Sequence, residues 1–353
     1  MRYLVYGAGA VGAFIGGRLS LAGQPVAFLA RRPIQAALRQ SGLHIAMSGN
    51  TEHLHDVACF SNLSEALGSG LPDVILLTVK SYDAEAAARA IHAAWADPPP
   101  VVCLQNGVGN EAALAKMLGQ GRVLSATLTS AVQMPKPGLL RVERARGLGL
   151  AADHSMAKRL FFELSQAGLR PRLYNDADRM KWSKLLTNIV ANAVSAIVGW
   201  RPGDVLGHAG LFRLEVEALR EAVRVMRALG LAPQNLPGVP VGLLGRGIFL
   251  PTRLLQAPLR RIVSSGRGGK LPSFQHDIGR GRSEVVWLNG AVARVGEQHH
   301  VPTPANAFLT QTLMALVMGQ ADPSQYRDRP EVLLRKAQLA GVGRDREYNP
   351  AAG

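Results

Sequence analysis

The glycines near residue 10 are spaced to bind a dinucleotide. A short apolar run, Tyr3–Tyr6, leads directly into them, and an apolar helix is predicted from Ala13 to Leu21. In such a unit the first glycine allows a tight turn, the second admits a pyrophosphate and the third lets the helix pack closely on the strand. The N–H groups at the start of the helix favour phosphate. The residues predicted to bind the cofactor here are Gly7, Ala8, Gly9, Ala10, Val11 and Gly12.

The residue after the second predicted strand indicates which dinucleotide is bound. That strand runs from Pro25 to Ala30, and Arg31 follows it, 19 positions after Gly12. An acidic residue there would bind the ribose hydroxyls of NAD, whereas an arginine suits the 2′-phosphate of NADP. The sequence therefore predicts NADP(H). The alternative is a glycine-rich turn followed by a solvated arginine.

Two polar residues follow other predicted strands of the same sheet. Lys80 comes directly after the apolar run 74–79, and Asn106 follows the apolar run 101–104. Ligands of open parallel sheets bind beyond the carboxyl ends of the strands, so both residues are candidates for the site. An exposed lysine and an ordinary Asn-Gly turn remain the alternative.

A predicted helix over 178–198 carries polar side chains on an otherwise apolar surface. Its second half is almost entirely apolar, which is typical of a buried helix. Lys184, Asn188 and Asn192 stand at i, i+4 and i+8, so they are expected to share one face. Buried polar groups need polar partners or a wet cleft. The pattern indicates either a substrate site or a hydrogen-bond network at an interface.

Composition excludes several classes of protein. With 353 residues, of which 47% are hydrophobic and 18% charged, the chain is typical of a globular protein with two domains. Its net charge of +15 comes mostly from scattered arginines, and aromatic residues make up only 5%, so anionic small molecules are favoured over nucleic acid. No apolar run reaches the ~18 residues that span a bilayer. Two cysteines cannot form a disulfide framework, which predicts a cytoplasmic protein, and no histidine spacing indicates a metal site.

The order of predicted elements gives the fold class and the domains. Strands and helices alternate over residues 1–150, which predicts a doubly wound, Rossmann-type parallel sheet with an antiparallel addition at one edge. Later helices are predicted near 178–198, 209–229, 273–296 and 303–318. We predict an NADP-binding α/β domain over 1–174 and an all-helical substrate and catalytic domain over 175–322. The latter contains an irregular insertion, 231–272, and a polar tail, 323–353, follows it.

Taken together, the motifs of residues 1–320 resemble those of the ketopantoate reductase family. The resemblance rests on Gly7–Gly12, Arg31, Lys80, Gln105–Gly109, the Lys184, Asn188 and Asn192 series, Ser273, Asp277–Ile278, Glu284 and Leu288–Gly290. It implies NADPH-dependent reduction of 2-dehydropantoate to pantoate, on the route to pantothenate and coenzyme A.

The resemblance also implies roles for residues of the first half of the chain and the predicted helix after it. Arg31 would bind the 2′-phosphate of NADP, and Lys80 and Asn106 would bridge cofactor and substrate. Lys184 would be the general acid that gives a proton to the carbonyl oxygen as hydride arrives. A lysine suits this task because its pKa falls readily on desolvation.

Four further residues would contact the substrate. The family pattern implies that Asn188 and Asn192 hold its hydroxyl end, that Ser273 binds its carboxylate, and that Glu284 hydrogen-bonds it and orients the lysine. The spacing around Glu284 alone indicates only a helix cap or a surface ion pair.

The sequence departs from the family pattern in three places. Pro202 occupies a position that is often polar, and the insertion 231–272 is longer than usual. The segment from Asp277 to Glu284 is one residue shorter, which would rotate Glu284 by about 100° on a helix or shift the loop before it. Two alternatives therefore stay open: a related NADP-dependent dehydrogenase of another keto, hydroxy or amino acid, and a non-catalytic NADPH-binding protein. The polar helix faces also leave a homodimer open.

Overall fold

A computed structural model of the chain describes residues 1–267 and 273–343, without the side chains of 258, 261–267 and 273. Packing divides the chain into two units. Unit 1 contains Met1–Lys184 and Asn235–Pro240, and unit 2 contains Leu185–Gln234 and the described chain from Val241 onward. The first of these breaks lies inside a helix, ten residues after the predicted boundary at 174/175. The predicted domain limits stay a prediction.

Unit 1 is built on an eight-stranded sheet. Its spatial order is β12 (Pro171–Tyr174), β11 (Leu148–Ala151), β8 (Val123–Leu128), β7 (Val101–Cys103), β6 (Val74–Leu77), β1 (Tyr3–Tyr6), β2 (Val26–Leu29) and β5 (Cys59–Phe60). The strands from β8 to β5 are parallel, whereas β11 pairs antiparallel with β8. The predicted doubly wound sheet with an antiparallel addition at one edge is confirmed.

Helices cover both faces of this sheet. They are α1 (Ala10–Leu21), α2 (Arg32–Ser41), α3 (Leu63–Gly68), α4 (Ala84–Ala94), α5 (Asn110–Leu118), α6 (Ala157–Gln166) and the first part of α7 (Ala177–Ile189). Because side chains alternate along a strand, Leu76 joins the core that contains α1 and α6, while Ile75 and Leu77 join the core that contains α4 and α5. The continuous apolar sequence of β6 therefore reflects burial on both faces.

A second, four-stranded sheet was not predicted as a separate layer. Its order is β4 (Asn50–Leu54), β3 (Leu43–Met47), β10 (Leu139–Arg144) and β9 (Ala131–Lys136). The central pair, β3 and β10, is parallel and joins segments almost a hundred residues apart. The pairing depends on a long-range contact that the sequence does not reveal.

Unit 2 is helical throughout its described elements, as predicted. Its helices are the end of α7, α8 (Ala193–Val198), α9 (Pro202–Gly207), α10 (Ala209–Ala228), α11 (Val241–Gly247), α12 (Thr252–Arg267), α13 (Asn289–Gln298), α14 (Pro304–Val317) and α15 (Pro330–Leu339). The predicted irregular insertion thus holds α11 and α12, and the predicted tail holds α15, which buries Leu333 and Ala337.

The helix predicted over 273–296 is wrong. The chain forms a 3-10 helix at Ser273–Asp277, a loop, a second 3-10 helix at Glu284–Trp287 and then α13. Gly279 and Gly281 have φ values of +72° and +73°, which an α-helix does not allow. The prediction took this segment as one helix, but the two glycines interrupt it.

A buried carboxyl group organises the helices of unit 2. Glu221 of α10 is 1% exposed, and it accepts hydrogen bonds from the backbone N–H groups of Ala305 and Asn306 at 2.7 and 2.9 Å. The Asn306 amide also donates to Glu221 at 2.7 Å, and its oxygen accepts from Asn289 of α13 at 2.9 Å. Glu221 therefore satisfies donors at the start of α14 that the helix itself cannot.

We predict a pH-dependent stability from Glu221. Burial raises the pKa of Glu221 from its usual 4.5 to about 8, although three donors act in the opposite direction. Between these values the folded chain holds a proton that the unfolded chain has lost, so the free energy of unfolding should fall as pH rises. In urea unfolding at about pH 5, 6.5 and 8, the native protein should lose more stability than Glu221→Gln, which cannot titrate. Parallel losses in both proteins would contradict the prediction.

Candidate active site

The glycine-rich turn after β1 is held by contacts that leave no room for side chains at two positions. Gly7 has φ +108°, and a Cβ there would lie 2.9 Å from the backbone nitrogen of Val79. A Cβ at Gly12 would overlap the Gly7 carbonyl oxygen and Thr78 Oγ1. Thr78 Oγ1 donates to that same carbonyl at 2.7 Å. These contacts give a physical reason for the first and third glycines of the motif.

Gly9 has a different environment. Nothing lies within 4 Å of a Cβ built at Gly9, so its side faces open space. Gly9 is also the N-cap of α1, whose first turn has no capping side chain and no acidic residue. Backbone N–H groups at a helix start and an open approach suit a pyrophosphate, so these residues fit a dinucleotide.

Four neighbouring strands carry the predicted cofactor-binding residues at their carboxyl ends. Arg31 follows β2, the glycine turn follows β1, Lys80 follows β6 and Asn106 follows β7, and these strands are adjacent in the sheet. Arg31 and Lys80 are exposed, and Asn106 is half-buried. The chain leaves β1 toward β2 on one side and returns to β6 on the other, so the turn lies at a topological switch point.

The backbone of Asn106 is fastened by two residues that the sequence analysis missed. Ser81 Oγ donates to the Asn106 carbonyl at 2.9 Å, and Asn110 Nδ2 donates to the same oxygen at 3.1 Å. Both lie next to predicted elements of the site, one after Lys80 and one at the start of α5. In the sequence, these two residues could have been found from their polarity and their position beside two strand ends.

Lys181 of α7 makes the strongest polar contact at this edge and was also missed. Its Nζ donates to the Gln105 carbonyl at 2.6 Å and forms an ion pair with Glu111 of α5 at 2.8 Å. Burial alone would lower the pKa of Lys181, but the Glu111 carboxylate outweighs it, so the pKa is raised. The sequence placed Lys181 in a predicted helix without any sign of its partner, 70 residues earlier.

The structure corrects the predicted series of Lys184, Asn188 and Asn192. Lys184 and Asn188 lie one turn apart on α7 and are half-buried, so they do share a face of that helix. The helix ends at Ile189, however, and Asn192 is the N-cap of α8. The side chain of Asn192 instead donates to the Asn188 carbonyl at 3.2 Å.

The break between α7 and α8 has an identifiable cause. Ala191 has φ +48°, a left-handed conformation that is unfavourable for a residue with a side chain. Its N–H donates to the Glu215 carboxylate of α10 at 2.8 Å, and both residues are buried. A charged acceptor thus replaces the helical hydrogen bond that the N–H gives up. No glycine or proline in the sequence indicated this break between α7 and α8.

Glu284 lies in a tight loop and not along a continuous helix. It is 5% exposed and begins its 3-10 helix directly after Ser283, whose Oγ donates to Asp277 at 2.8 Å. The expected rotation of Glu284 by about 100° on a helix therefore does not apply. Ser273 begins the earlier 3-10 helix, but its side chain lies outside the described part of the chain.

The structure thus assigns the predicted site residues to both units. Unit 1 contains the glycine turn, Arg31, Lys80, Asn106 and Lys184. Asn188, Asn192, Ser273 and Glu284 belong to unit 2. Pro202 is buried at the first position of α9 and contributes no polar atom of its side chain.

Neither a metal-binding cluster nor a membrane-spanning helix is present among the described residues. No described group of three or more His, Cys, Asp or Glu side chains is arranged to hold a metal ion. No helix in the described ranges 1–267 and 273–343 is long and apolar enough to cross a membrane.

Two family models match the sequence of this chain. The model of the family described as ketopantoate reductase PanE/ApbA matches residues 3–150, and the model of its C-terminal domain matches residues 176–317. The chain belongs to the ketopantoate reductase family. As a member of this family it is an oxidoreductase that acts on CH–OH groups.

Individual ketopantoate reductases are similar along almost the whole chain. The 2-dehydropantoate 2-reductase of Archaeoglobus fulgidus is 29% identical over 324 residues, which cover 90% of this chain and 97% of that protein. The crystal structure of a PanE/ApbA family ketopantoate reductase from Ralstonia eutropha JMP134 is 27% identical, with a TM-score of 0.75, and covers 96% of this chain and 100% of its own.

A dehydrogenase with another substrate shares the fold. The ternary structure of D-mandelate dehydrogenase with NADH and anilino(oxo)acetate has a TM-score of 0.73 and covers 90% of this chain and 98% of its own. It is only 19% identical, so this likeness concerns the fold alone. Membership of the ketopantoate reductase family supports a nicotinamide cofactor.

The different surroundings of Gly9 and Gly12 predict opposite effects of an added methyl group. Gly9→Ala should leave the thermal midpoint of unfolding unchanged without cofactor, because the new Cβ meets nothing within 4 Å. It should weaken nicotinamide dinucleotide binding about tenfold or more, because the methyl group obstructs the pyrophosphate. Gly12→Ala should lower the midpoint, because overpacking against backbone costs about 1–3 kcal/mol.

Differential scanning calorimetry and titration of protein fluorescence with NADPH measure the two effects. Each glycine variant serves as the control for the other. A Gly9→Ala protein that is destabilised, or that binds NADPH like the native protein, would contradict this account of the turn.

Proposed function

We propose that this chain is an NADPH-dependent reductase of a 2-keto acid, and that its leading substrate is 2-dehydropantoate, which it reduces to (R)-pantoate. One observation carries the proposal. Lys181 binds the Gln105 carbonyl just after β7, so Lys184, three residues or about 4.5 Å further along α7, would be held near the carboxyl edge of the sheet. A lysine beside the cofactor-binding edge is the arrangement that carbonyl reduction needs.

The cofactor would be held by residues of unit 1. The N–H groups at the start of α1 would bind the pyrophosphate beside Gly9, and Arg31 would bind the 2′-phosphate of the ribose. Lys80 and Asn106 would contact both cofactor and substrate, as the family pattern implies. Bound NADPH would supply the hydride.

Lys184 would act as the general acid. Negative charge develops on the carbonyl oxygen during reduction, and an ammonium group both stabilises that charge and supplies the proton from Nζ. The structure supports this role because Lys184 is half-buried on α7 near a strand end that carries a fastened amide, Asn106. Partial burial strengthens electrostatic interactions relative to those in bulk water.

The remaining substrate contacts are proposed for residues of unit 2. Asn188 and Asn192 would hold the hydroxyl end of the substrate, Ser273 its carboxylate, and Glu284 would hydrogen-bond the substrate and orient Lys184. The substrate is an anion, and the net charge of +15 favours its approach over that of neutral or cationic molecules.

The experiment that tests the proposal follows NADPH oxidation with ketopantoate and with a panel of 2-keto acids. The native protein should turn over at least one of them. Lys184→Ala should lower kcat by ~10²–10⁴, the usual contribution of a general acid. Its NADPH dissociation constant should stay within about threefold, because the lysine acts on the transition state and not on cofactor binding.

Lys158→Ala is the matched control, since Lys158 is an exposed lysine of α6 in the same unit. It should retain the native kcat. Absence of turnover on every keto acid would reject the proposed function. Equal losses of kcat and NADPH affinity in Lys184→Ala would reject the general-acid role.

Arg31 predicts the choice of cofactor. The native protein should show a clearly higher kcat/KM with NADPH than with NADH, and Arg31→Ala should narrow that ratio mainly by raising the KM for NADPH. Arg89→Ala removes an exposed arginine of α4 that pairs only locally with Glu85, and it should leave the ratio unchanged. Equal use of both dinucleotides by the native protein would refute the assignment of NADP.

A second candidate is the reduction of a different 2-keto acid. The fold likeness to D-mandelate dehydrogenase is nearly as high as that to a ketopantoate reductase, with TM-scores of 0.73 and 0.75. Pro202 also stands where the family pattern often has a polar residue. The keto acid that corresponds to mandelate therefore belongs in the panel, and a higher kcat/KM for it than for ketopantoate would favour this candidate.

A further inference from the structure

The ammonium group of Lys181 is surrounded by three acceptors from three different elements. Its Nζ lies 2.6 Å from the Gln105 carbonyl after β7, 3.4 Å from the Ala126 carbonyl of β8 and 2.8 Å from Glu111 Oε1 of α5. A lysine ammonium has three N–H donors, so each can be matched by one acceptor. The contacts tie α7 to two strands and one helix of the same unit.

Burial makes this arrangement specific. The Lys181 side chain is 3% exposed and that of Glu111 is 20% exposed, so water can replace little of what the pair provides. Removing one partner of such a pair leaves a buried charge without compensation. The ammonium is therefore held in one position and does not move among surface alternatives.

The residue that receives the shortest of these contacts is itself immobilised. The backbone carbonyl of Gln105 accepts from Lys181, and its side-chain oxygen accepts from the Cys103 thiol at 2.8 Å. The next residue, Asn106, has its carbonyl held by Ser81 and Asn110. Lys181 thus connects α7 to a strand end that has little freedom of its own.

We propose that Lys181 is a positioning residue, whose contacts with Gln105 and Glu111 hold α7 so that Lys184 is correctly placed relative to Asn106. This inference rests on the proposed function for the task of Lys184. Because α7 ends at Ile189, only about one and a half turns follow Lys184, and Lys181 is the charged anchor on its amino-terminal side.

A small displacement of α7 would be costly for the reaction. Misplacement of a reacting group by about 1 Å can lower a rate ~10²-fold, even when the change lies outside the chemistry. Loss of the Lys181 contacts should therefore appear in kcat with the keto acid. NADPH affinity should change less than kcat, because the glycine turn and Arg31, which would bind the pyrophosphate and the 2′-phosphate, lie outside the described contacts of Lys181.

The test compares Lys181→Met, Lys181→Arg and Glu111→Gln with the native full-length protein. Lys181→Met should lower kcat about 10-fold to 100-fold and leave the NADPH dissociation constant within about threefold of native. Glu111→Gln, which keeps an acceptor but loses the charge, should show a smaller loss. Lys181→Arg restores the charge, and it should recover part of the rate but not all, because a planar guanidinium cannot match three acceptors around one atom.

Leu164→Ala is the matched control for simple destabilisation. Leu164 is a buried residue of α6 in the core of the same unit, and its truncation is expected to lower stability. Assayed well below its melting temperature, this variant should keep kcat within about twofold of the native value. A loss of kcat in Leu164→Ala equal to that in Lys181→Met would overturn the proposal, as would a native kcat in Lys181→Met.

Hydrogen exchange of the cofactor-free proteins gives a readout that does not depend on turnover. Amides of 103–107 and 177–189 should exchange faster in Lys181→Met than in the native protein, and Leu164→Ala should not show this selective change. If the native protein reduces no keto acid but the selective exchange is seen, the proposed function fails and the anchoring of α7 by Lys181 stands. Unchanged exchange at both segments would overturn the anchoring itself.

Discussion

The close approach of α1 to the edge of the sheet depends on the absence of a side chain at Gly12. A Cβ there would overlap both the Gly7 carbonyl and Thr78 Oγ1, and the hydrogen bond between those two groups joins the turn after β1 to the end of β6. The start of α1 can therefore lie at the switch point of the sheet, next to the open side of Gly9. The neighbouring strand ends then bring Arg31, Lys80 and Asn106 to the same edge.

Unit 2 buries carboxyl groups within an apolar helical core. Glu215 and Glu221 both belong to α10, and both are buried. Each accepts from backbone N–H groups where a helix begins or is interrupted, Glu221 at the start of α14 and Glu215 at Ala191. These hydrogen bonds help to offset the cost of burying the polar carboxyl groups. Burial also raises the pKa of Glu221 to about 8, so Glu221 is protonated at neutral pH and carries no charge there. The same helix thereby determines where two other elements start.

Local features of the sequence predicted much of this fold, and the failures have a common cause. The bounds of α10 and α14 and the roles of Gly7 and Gly12 followed from nearby residues, because turn geometry and helix capping act over a few positions. The break at Ala191 could not be seen, since its hydrogen-bond acceptor, Glu215, is 24 residues away. The second sheet and the Lys181–Glu111 pair depend on contacts at still greater separations. The helix predicted over 273–296 is the exception, because Gly279 and Gly281 were a local signal against it.

Helix α7 carries two lysines, Lys181 and Lys184, and the surroundings of Lys181 make it a poor proton donor. The Lys181 ammonium donates to two backbone carbonyls and forms an ion pair with Glu111, whose carboxylate raises the pKa of Lys181, so transfer of the proton would leave that carboxylate unpaired. Such a group serves structure well and acid catalysis poorly. Lys184 is half-buried and on the same face of α7 as Asn188. Under the proposed function, Lys181 would hold the helix and Lys184 would supply the proton, because removing the charge of Lys181 would leave its Glu111 partner uncompensated.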